Sequence, residues 1–284
     1  MAHYKGFAPM QRSIRIAEKQ EMREELLNKL PTWYETINAD DNFMVLSDDF
    51  DSYYSCLELY RHTGIQIGAF YDINSGLYVN EERCTGKKPV YVDLSVCLPN
   101  AKCFDNHVNC LLNKQAINPN NIGIKQYTDK YNGGTLPLIC ALYGKDVSAM
   151  SERHLFTMLT QDSWYQPYYS NRFHASFMRW LDLLFDDDKK YILTILQNHT
   201  ESDWQKYSIS NSMKAKIIVD NDGYLISNHP FIKNSGLDIS CKFTLYRKLL
   251  RKYNVQKYNL KSYSGIVTAA EYKRNTYSIC QFKN

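Results

Sequence analysis

Nowhere does the chain run through the roughly 18 consecutive apolar residues that a membrane-crossing helix needs, and its first residues, MAHYKGFAPMQRSIR, lack the apolar centre of a secretory signal. Both absences predict a cytoplasmic protein without membrane contact. Neither sign of charge dominates: 34 Lys and Arg stand against 30 Asp and Glu, a net charge of +4. That balance admits an anionic partner but falls short of the basic stripe of a protein that coats nucleic acid. No Gly-x-Ser-x-Gly elbow is present, which argues against a Ser–His–Asp hydrolase. No P-loop lysine accompanies the glycines at 133 and 134. The eight cysteines are expected reduced; Cys56, Cys97, Cys140 and Cys280 lie in apolar segments, where a free thiol packs as a small core residue. Cys97, Cys103, His107 and Cys110 are spaced C-x5-C-x3-H-x2-C, which matches no standard zinc pattern.

What is present is an ordinary globular composition, 44% hydrophobic and 23% charged, over 284 residues, long enough for one large domain or two modest ones. The periodicity predicts an amphipathic helix over 12–29, strands at 43–48, 65–71, 77–79, 89–96 and 101–104, and a helix from Ser52 to Gly64 with Ser52 at its cap. Helices follow at 136–143, 148–159 and within 171–199, with Asp186, Asp187 and Asp188 at a helix start. Strands alternating with helices over 43–162 predict an α/β fold: an open, mostly parallel sheet flanked by helices. Beyond about 200 the texture changes. Asn221-Asp222-Gly223 marks a hairpin, residues 239–253 read as a basic amphipathic helix, and 266–269 and 276–282 read as strands. The expected organisation is an α/β domain over 1–200 and a smaller α+β module over 205–284.

The chemistry gathers where strands end. Asp48, Asp49 and Asp51 follow the apolar run 43–46, Asp93 interrupts VYVDLSV, and Asp105 follows 101–104. In a parallel sheet these carboxylates share one rim, beyond the strand ends where ligands collect. Like charges raise one another's pKa unless a cation lies between them. Two explanations are open, salt bridges to Lys or Arg or hard divalent cations; no Lys or Arg occurs between Asp48 and Arg61, which argues against local pairing. The succession of DFDS (Asp49, Asp51, Ser52, with Ser55 following), Asp93 in VYVDLSV, CFDNHV (Asp105, Asn106, His107) and Asp162 in TQDS resembles the four motifs of the DHH phosphoesterase superfamily over roughly 43–165. That family hydrolyses phosphoanhydrides and phosphodiesters on paired metal ions. The resemblance implies that Asp49, Asp51, Asp93 and Asp162 ligate one or two Mn²⁺ or Mg²⁺ ions. It also implies that His107 faces the substrate phosphate and that Asp105 fixes a neighbour by hydrogen bonding.

Two positions depart from the pattern. The first-motif histidine falls at Ser47 and the first histidine of the third motif at Asn106, whose amide oxygen is the candidate replacement ligand. Two functions therefore stand: a metal-dependent phosphoesterase acting on a small nucleotide, cyclic dinucleotide or short single-stranded oligonucleotide, or a weakened relative that sequesters a nucleotide or contacts a partner protein. Ser52 belongs to the first motif, Gly133, Gly134 and Thr135 open a helix whose N–H groups suit a phosphate, and Arg247 lies on the basic segment; these are the candidate substrate contacts. The alternative for the glycines is a tight turn and helix cap, and for the basic segment a solvated face. Trp164-Tyr165 reads as a stacking platform or, more commonly, as core.

Overall fold

The computed structural model describes residues 24, 27–122, 126–186 and 188–283, so the helix expected over 12–29 lies largely outside the described residues. The central strand, β1 (Asn42–Ser47), is buried along its whole length. A strand covered on both faces sends alternate side chains to each: Met44 and Leu46 enter one core, Phe43 and Val45 the other. Helix α1 (Phe50–Thr63) starts at Asp49, not at Ser52, and stops at Gly64, whose φ of 70° is the left-handed turn the sequence predicts. It leads to β2 (Ile67–Asp72), parallel to β1. Strand β3 (Gly76–Val79) and the short helix α2 (Glu81–Cys84) follow. Strands β4 (Lys88–Val92), β5 (Lys102–Phe104) and β6 (Ala116–Ile117) then extend the parallel sheet from the other edge of β1. The order β2-β1-β4-β5-β6 changes direction between β1 and β4, the position at which α/β sheets bind ligands.

Helices α3 (Thr135–Leu142), α4 (Glu152–Thr160), α5 (Gln166–Tyr169), α6 (His174–Leu184), α7 (Lys189–Gln197) and α8 (Glu201–Ser210) build the larger core with Met44 and Leu46. Trp164 and Tyr165 are buried there, Tyr165 stacked on Trp204, and so serve the core and not a ligand. Asp188 precedes α7, but its carboxylate accepts from the backbone of Val147 and Ser148 (2.9 and 3.2 Å) and so ties a loop instead of capping its own helix.

The hairpin β7 (Ile217–Val219) and β8 (Leu225–Ser227) forms a small separate sheet around the predicted turn. The basic helix expected at 239–253 is instead the 13-residue strand β9 (Thr244–Gln256). Its first part, 244–248, pairs with β3 and its second, 249–256, with β11 (Thr276–Phe282), which in turn pairs with β10 (Ile266–Lys273). Leu249 and Val255 point inward while most of the chain between them is open to solvent; the charged residues that mimic a polar helix face are the exposed positions of a ribbon. The result is one nine-stranded sheet of mixed direction, β10-β11-β9-β3-β2-β1-β4-β5-β6, in an α/β fold. It curls over itself: Leu249, Val267 and Cys280 pack against Phe43, Val45 and Tyr71, and Thr268 bridges to Val96. Among the described residues no helix is long and apolar enough to cross a membrane.

Candidate metal centre

The acids arrive from separate places. Asp49 and Asp51 follow β1, Asp93 follows β4, Asp105 follows β5 and Asp162 follows α4. Ligand oxygens of Asp51, Asp93 and Asp162 lie within 4.8 Å of one another. Asp51 and Asp93 are buried, whereas Asp162 opens to solvent. Among the described residues this is the only group of three or more potential metal ligands that close together; Cys97, Cys103, His107 and Cys110 do not form one.

Backbone geometry explains how Asp93 and Asp162 are aimed. Both lie in the left-handed region, at φ 58° and 47°, where Asp is tolerated better than most residues. The turn at Asp93 also ends β4 four residues before the limit expected from the apolar pattern. Ser52, proposed from the sequence as a substrate contact, is a buried tie: its hydroxyl accepts from Ser47 N (2.8 Å) and donates to Val92 O (2.8 Å). It fastens the ends of β1 and β4, and so the carboxylates beyond them.

Asp51 occupies the start of α3. It accepts from the backbone N–H of Thr135 (2.6 Å) and Leu136 (3.1 Å), and Thr135 Oγ1 donates to Asp93 Oδ1 (2.7 Å). The donors that Gly133-Gly134-Thr135 was expected to offer a phosphate are therefore turned on the acids. Gly134 is required by contact: a Cβ there would stand 2.8 Å from both Asp51 oxygens. Gly134→Ala is expected to displace Asp51 and to lower stability by about 1–3 kcal/mol, the scale for a broken buried hydrogen bond, measured by urea unfolding. An unchanged midpoint would show that the carboxylate does not need its helix.

Burial, then the charges of Asp162 and Asp49, holds Asp51 well above the ordinary carboxylate range. Burial, then Asp49, Asp51 and Asp162, does the same to Asp93. Asp162 is raised despite its exposure, by partial loss of solvent and by Asp49, with His107, Asn106 and Lys216 pulling it back. A convergent, all-oxygen set whose members oppose one another's ionisation fits a hard divalent cation.

Asp49 stands beside the trio and not in it. Its carboxylate accepts from Ser52 N (3.1 Å) as the cap of α1. Lys216 lies 3.0 Å from Asp48 and 3.6 Å from Asp49, so part of the rim charge is answered by a lysine far along the chain that local spacing did not reveal. Asn106 meets the cluster as a donor: its amide nitrogen bonds Asp162 Oδ2 (2.6 Å) and Gly133 O (2.9 Å). Those two acceptors fix the amide orientation, and its oxygen, buried without a hydrogen-bond partner, faces away from Asp162. The oxygen-ligand role expected for Asn106 is therefore not the one this geometry serves.

Asp105 accepts from His107 at both N (3.0 Å) and Nδ1 (2.7 Å) and from Asn118 Nδ2 (2.8 Å). Asn120 holds the same loop through Asn106 O and Tyr131 O. Burial opposes charge on His107, but the bond to Asp105 and the field of Asp105, Asp162 and Asp49 carry its pKa up to about 9. Its Nε2 has no hydrogen-bond partner among the described residues. Asp105 thus orients and charges His107, as a carboxylate does for an imidazole at a reactive site.

His107 stands between two lobes. A cleft of about 1020 Å³ is lined by Asp49, Asp93, Lys216 and Arg251, and an adjoining lobe of about 690 Å³ by Asp162, Asn106, Arg172 and Phe173; both include His107, Tyr127 and Lys130. Arg247 lines neither. It pairs through the backbone with Leu77 and lies over the Tyr246 and Phe282 rings; the arginine of β9 that lines the cleft is Arg251, four residues further on. No protein-family model, curated protein or solved structure matches the chain.

Proposed function

We propose that the chain is a divalent-cation-dependent phosphoesterase acting on a small nucleotide or short oligonucleotide, a distant relative of the DHH enzymes. One observation carries this reading: three carboxylates, from residues 51, 93 and 162, converge within 4.8 Å beside a cation-lined cleft that Asp93 lines, with Asp162 lining the adjoining lobe. Asp51, Asp93 and Asp162 are the residues that would hold the ion. Bound there, Mn²⁺ or Mg²⁺ supplies positive charge that polarises a phosphoryl oxygen and acidifies a water. Lys130, Lys216 and Arg251 line the cleft and draw an anion toward the acids. His107, protonated through Asp105, holds a proton at Nε2 for the phosphoryl oxygens. Tyr127 lines both lobes and offers a ring face to a base.

Purified protein is expected to hydrolyse bis-p-nitrophenyl phosphate or a dinucleotide with Mn²⁺ or Mg²⁺ and to stop in EDTA. Hydrolysis that persists in chelator would remove the proposal. A non-catalytic binder is the second reading, favoured by Lys216, which offsets the charge of Asp48 and Asp49, and by the Asn106 amide, which occupies an Asp162 oxygen. Tight nucleotide binding without turnover in either metal would select it.

The Asp105–His107 pair gives a prediction independent of turnover. In an NMR titration the His107 ring is expected to lose its proton near pH 9. Asp105→Asn removes the main source of that shift and is expected to move the midpoint down toward the ordinary histidine value near 6.5. Equal midpoints in the two proteins would show that Asp105 does not charge the imidazole.

A further inference from the structure

A second cavity, of about 410 Å³, shares no lining residue with the acid cleft and falls in the size range of small-molecule sites. It lies along the same three helices and reaches the start of α3 at Leu136. Leu57 and Arg61 come from α1, Cys140 from α3, and Arg153 and Met158 from α4, while the acid cluster draws on the start of α1, the start of α3 and the residues after α4.

Its apolar surface comes from Leu57, Leu136, Met158 and Phe231. Its charge is one-sided: Arg61, Lys145 and Arg153 stand against the single carboxylate of Glu58. Glu58 is buried and already engaged, with Arg61 at 2.9 Å, Lys145 at 3.0 Å and His62 at 3.2 Å. Arg153 has no carboxylate partner among the described residues, yet stands near enough to Tyr54 and His229 to perturb both. Elsewhere in the polar wall His229 donates from Nδ1 to Asn211 O (2.5 Å) and accepts at Nε2 from the Tyr54 hydroxyl (2.8 Å), and His154 is an exposed wall residue. What the cavity leaves unanswered is an apolar space beside a free guanidinium and a lysine shared with one acid.

We propose that this cavity binds a small aromatic carboxylate, its ring against Leu57, Met158 and Phe231 and its acid group on Arg153 and Lys145. Such a ligand answers the surplus cation through a charge-assisted, two-pronged hydrogen bond while its ring displaces water from the apolar walls.

Calorimetry with naphthalene-2-carboxylate and its neutral amide, in EDTA and without phosphate ester, tests this apart from any hydrolysis. The carboxylate is expected to bind one per chain, with shifts of the Met158 methyl resonance locating it. Arg153→Gln, a change at an exposed helix position, is expected to weaken the carboxylate about tenfold or more and leave the amide unchanged. Thr157→Trp, which puts a large ring into the space, is expected to block both. Absence of carboxylate binding, equal effects of Arg153→Gln on acid and amide, or undiminished binding to Thr157→Trp would each overturn the proposal. A protein that binds the acid and hydrolyses nothing would leave it standing and count only against the phosphoesterase.

Discussion

Asp93→Asn protein is expected to show no thermal response to Mn²⁺, where the wild type, at about a hundredfold excess over Kd, gains about 2.7 kcal/mol, or roughly 5–10 °C in Tm. Asn tolerates the left-handed backbone of residue 93 and keeps an oxygen for Thr135 Oγ1, so the change removes charge while leaving shape. Metal-dependent hydrolysis is expected to fall at least about a thousandfold, several kcal/mol of lost charge stabilisation. Without metal the effect reverses. Asp93 is then one of several carboxylates holding each other above their ordinary range, and neutralising it relieves the rest; the variant is expected to melt above the wild type in EDTA. A site that destabilises its own fold until a ligand arrives is a familiar exchange of stability for function. Equal Mn²⁺ stabilisation of both proteins would place the ion elsewhere or nowhere.

In EDTA, the acid cluster is expected to make the wild type lose stability as pH rises above the ordinary carboxylate range. Asp51, Asp93 and Asp162 have folded pKa values above the unfolded reference of 3.8. Between the two values the folded state binds more protons, and stability then falls with rising pH. His107 acts in the same direction: its folded pKa of about 9 exceeds 6.5, so its contribution is complete below 6.5 and lost as pH climbs through 9. Glu58 acts oppositely. Lys145 and Arg61 hold it below its ordinary value against the effect of burial, so its contribution exists above 4.5 and fades as pH falls. The expected profile of Tm against pH has its maximum in mild acid and declines toward pH 9. Asp51→Asn flattens the decline, and Mn²⁺ reverses it because ligation requires ionised carboxylates. A metal-free Tm that rises from pH 5 to 8 would contradict the electrostatic account.

The gathering of acids was legible because β1 and β4 are nearly continuous apolar runs ended by Asp, and parallel neighbours place such ends side by side. Which Asp of the first pair faces the others was not legible. Asp49 and Asp51 are two residues apart, either can sit at the head of α1, and only the position of Gly134 against Asp51 decides it. Lys216 was hidden for a different reason: it meets Asp48 across 168 positions, and no local spacing encodes that. The error at 239–253 is one of context. Leu245, Leu249 and Leu250 among basic residues satisfy a helical period, but β3 pairs with the first part of the segment and β11 with the second, and that pairing outweighs propensity. The glycines at 133 and 134 pointed correctly to a helix start, though its donors serve Asp51.

The curl of the sheet bears on how far the parallel half is autonomous. Phe43, Val45 and Tyr71 face Leu249, Val267 and Cys280, and Lys216 and Arg251 also lie beyond residue 200. A fragment ending there would keep every carboxylate of the cluster while losing two of the cations that line its cleft and the hydrophobic lid over its central strands. The last third of the chain is in that sense the counterweight of the first, since the two share one hydrophobic cluster.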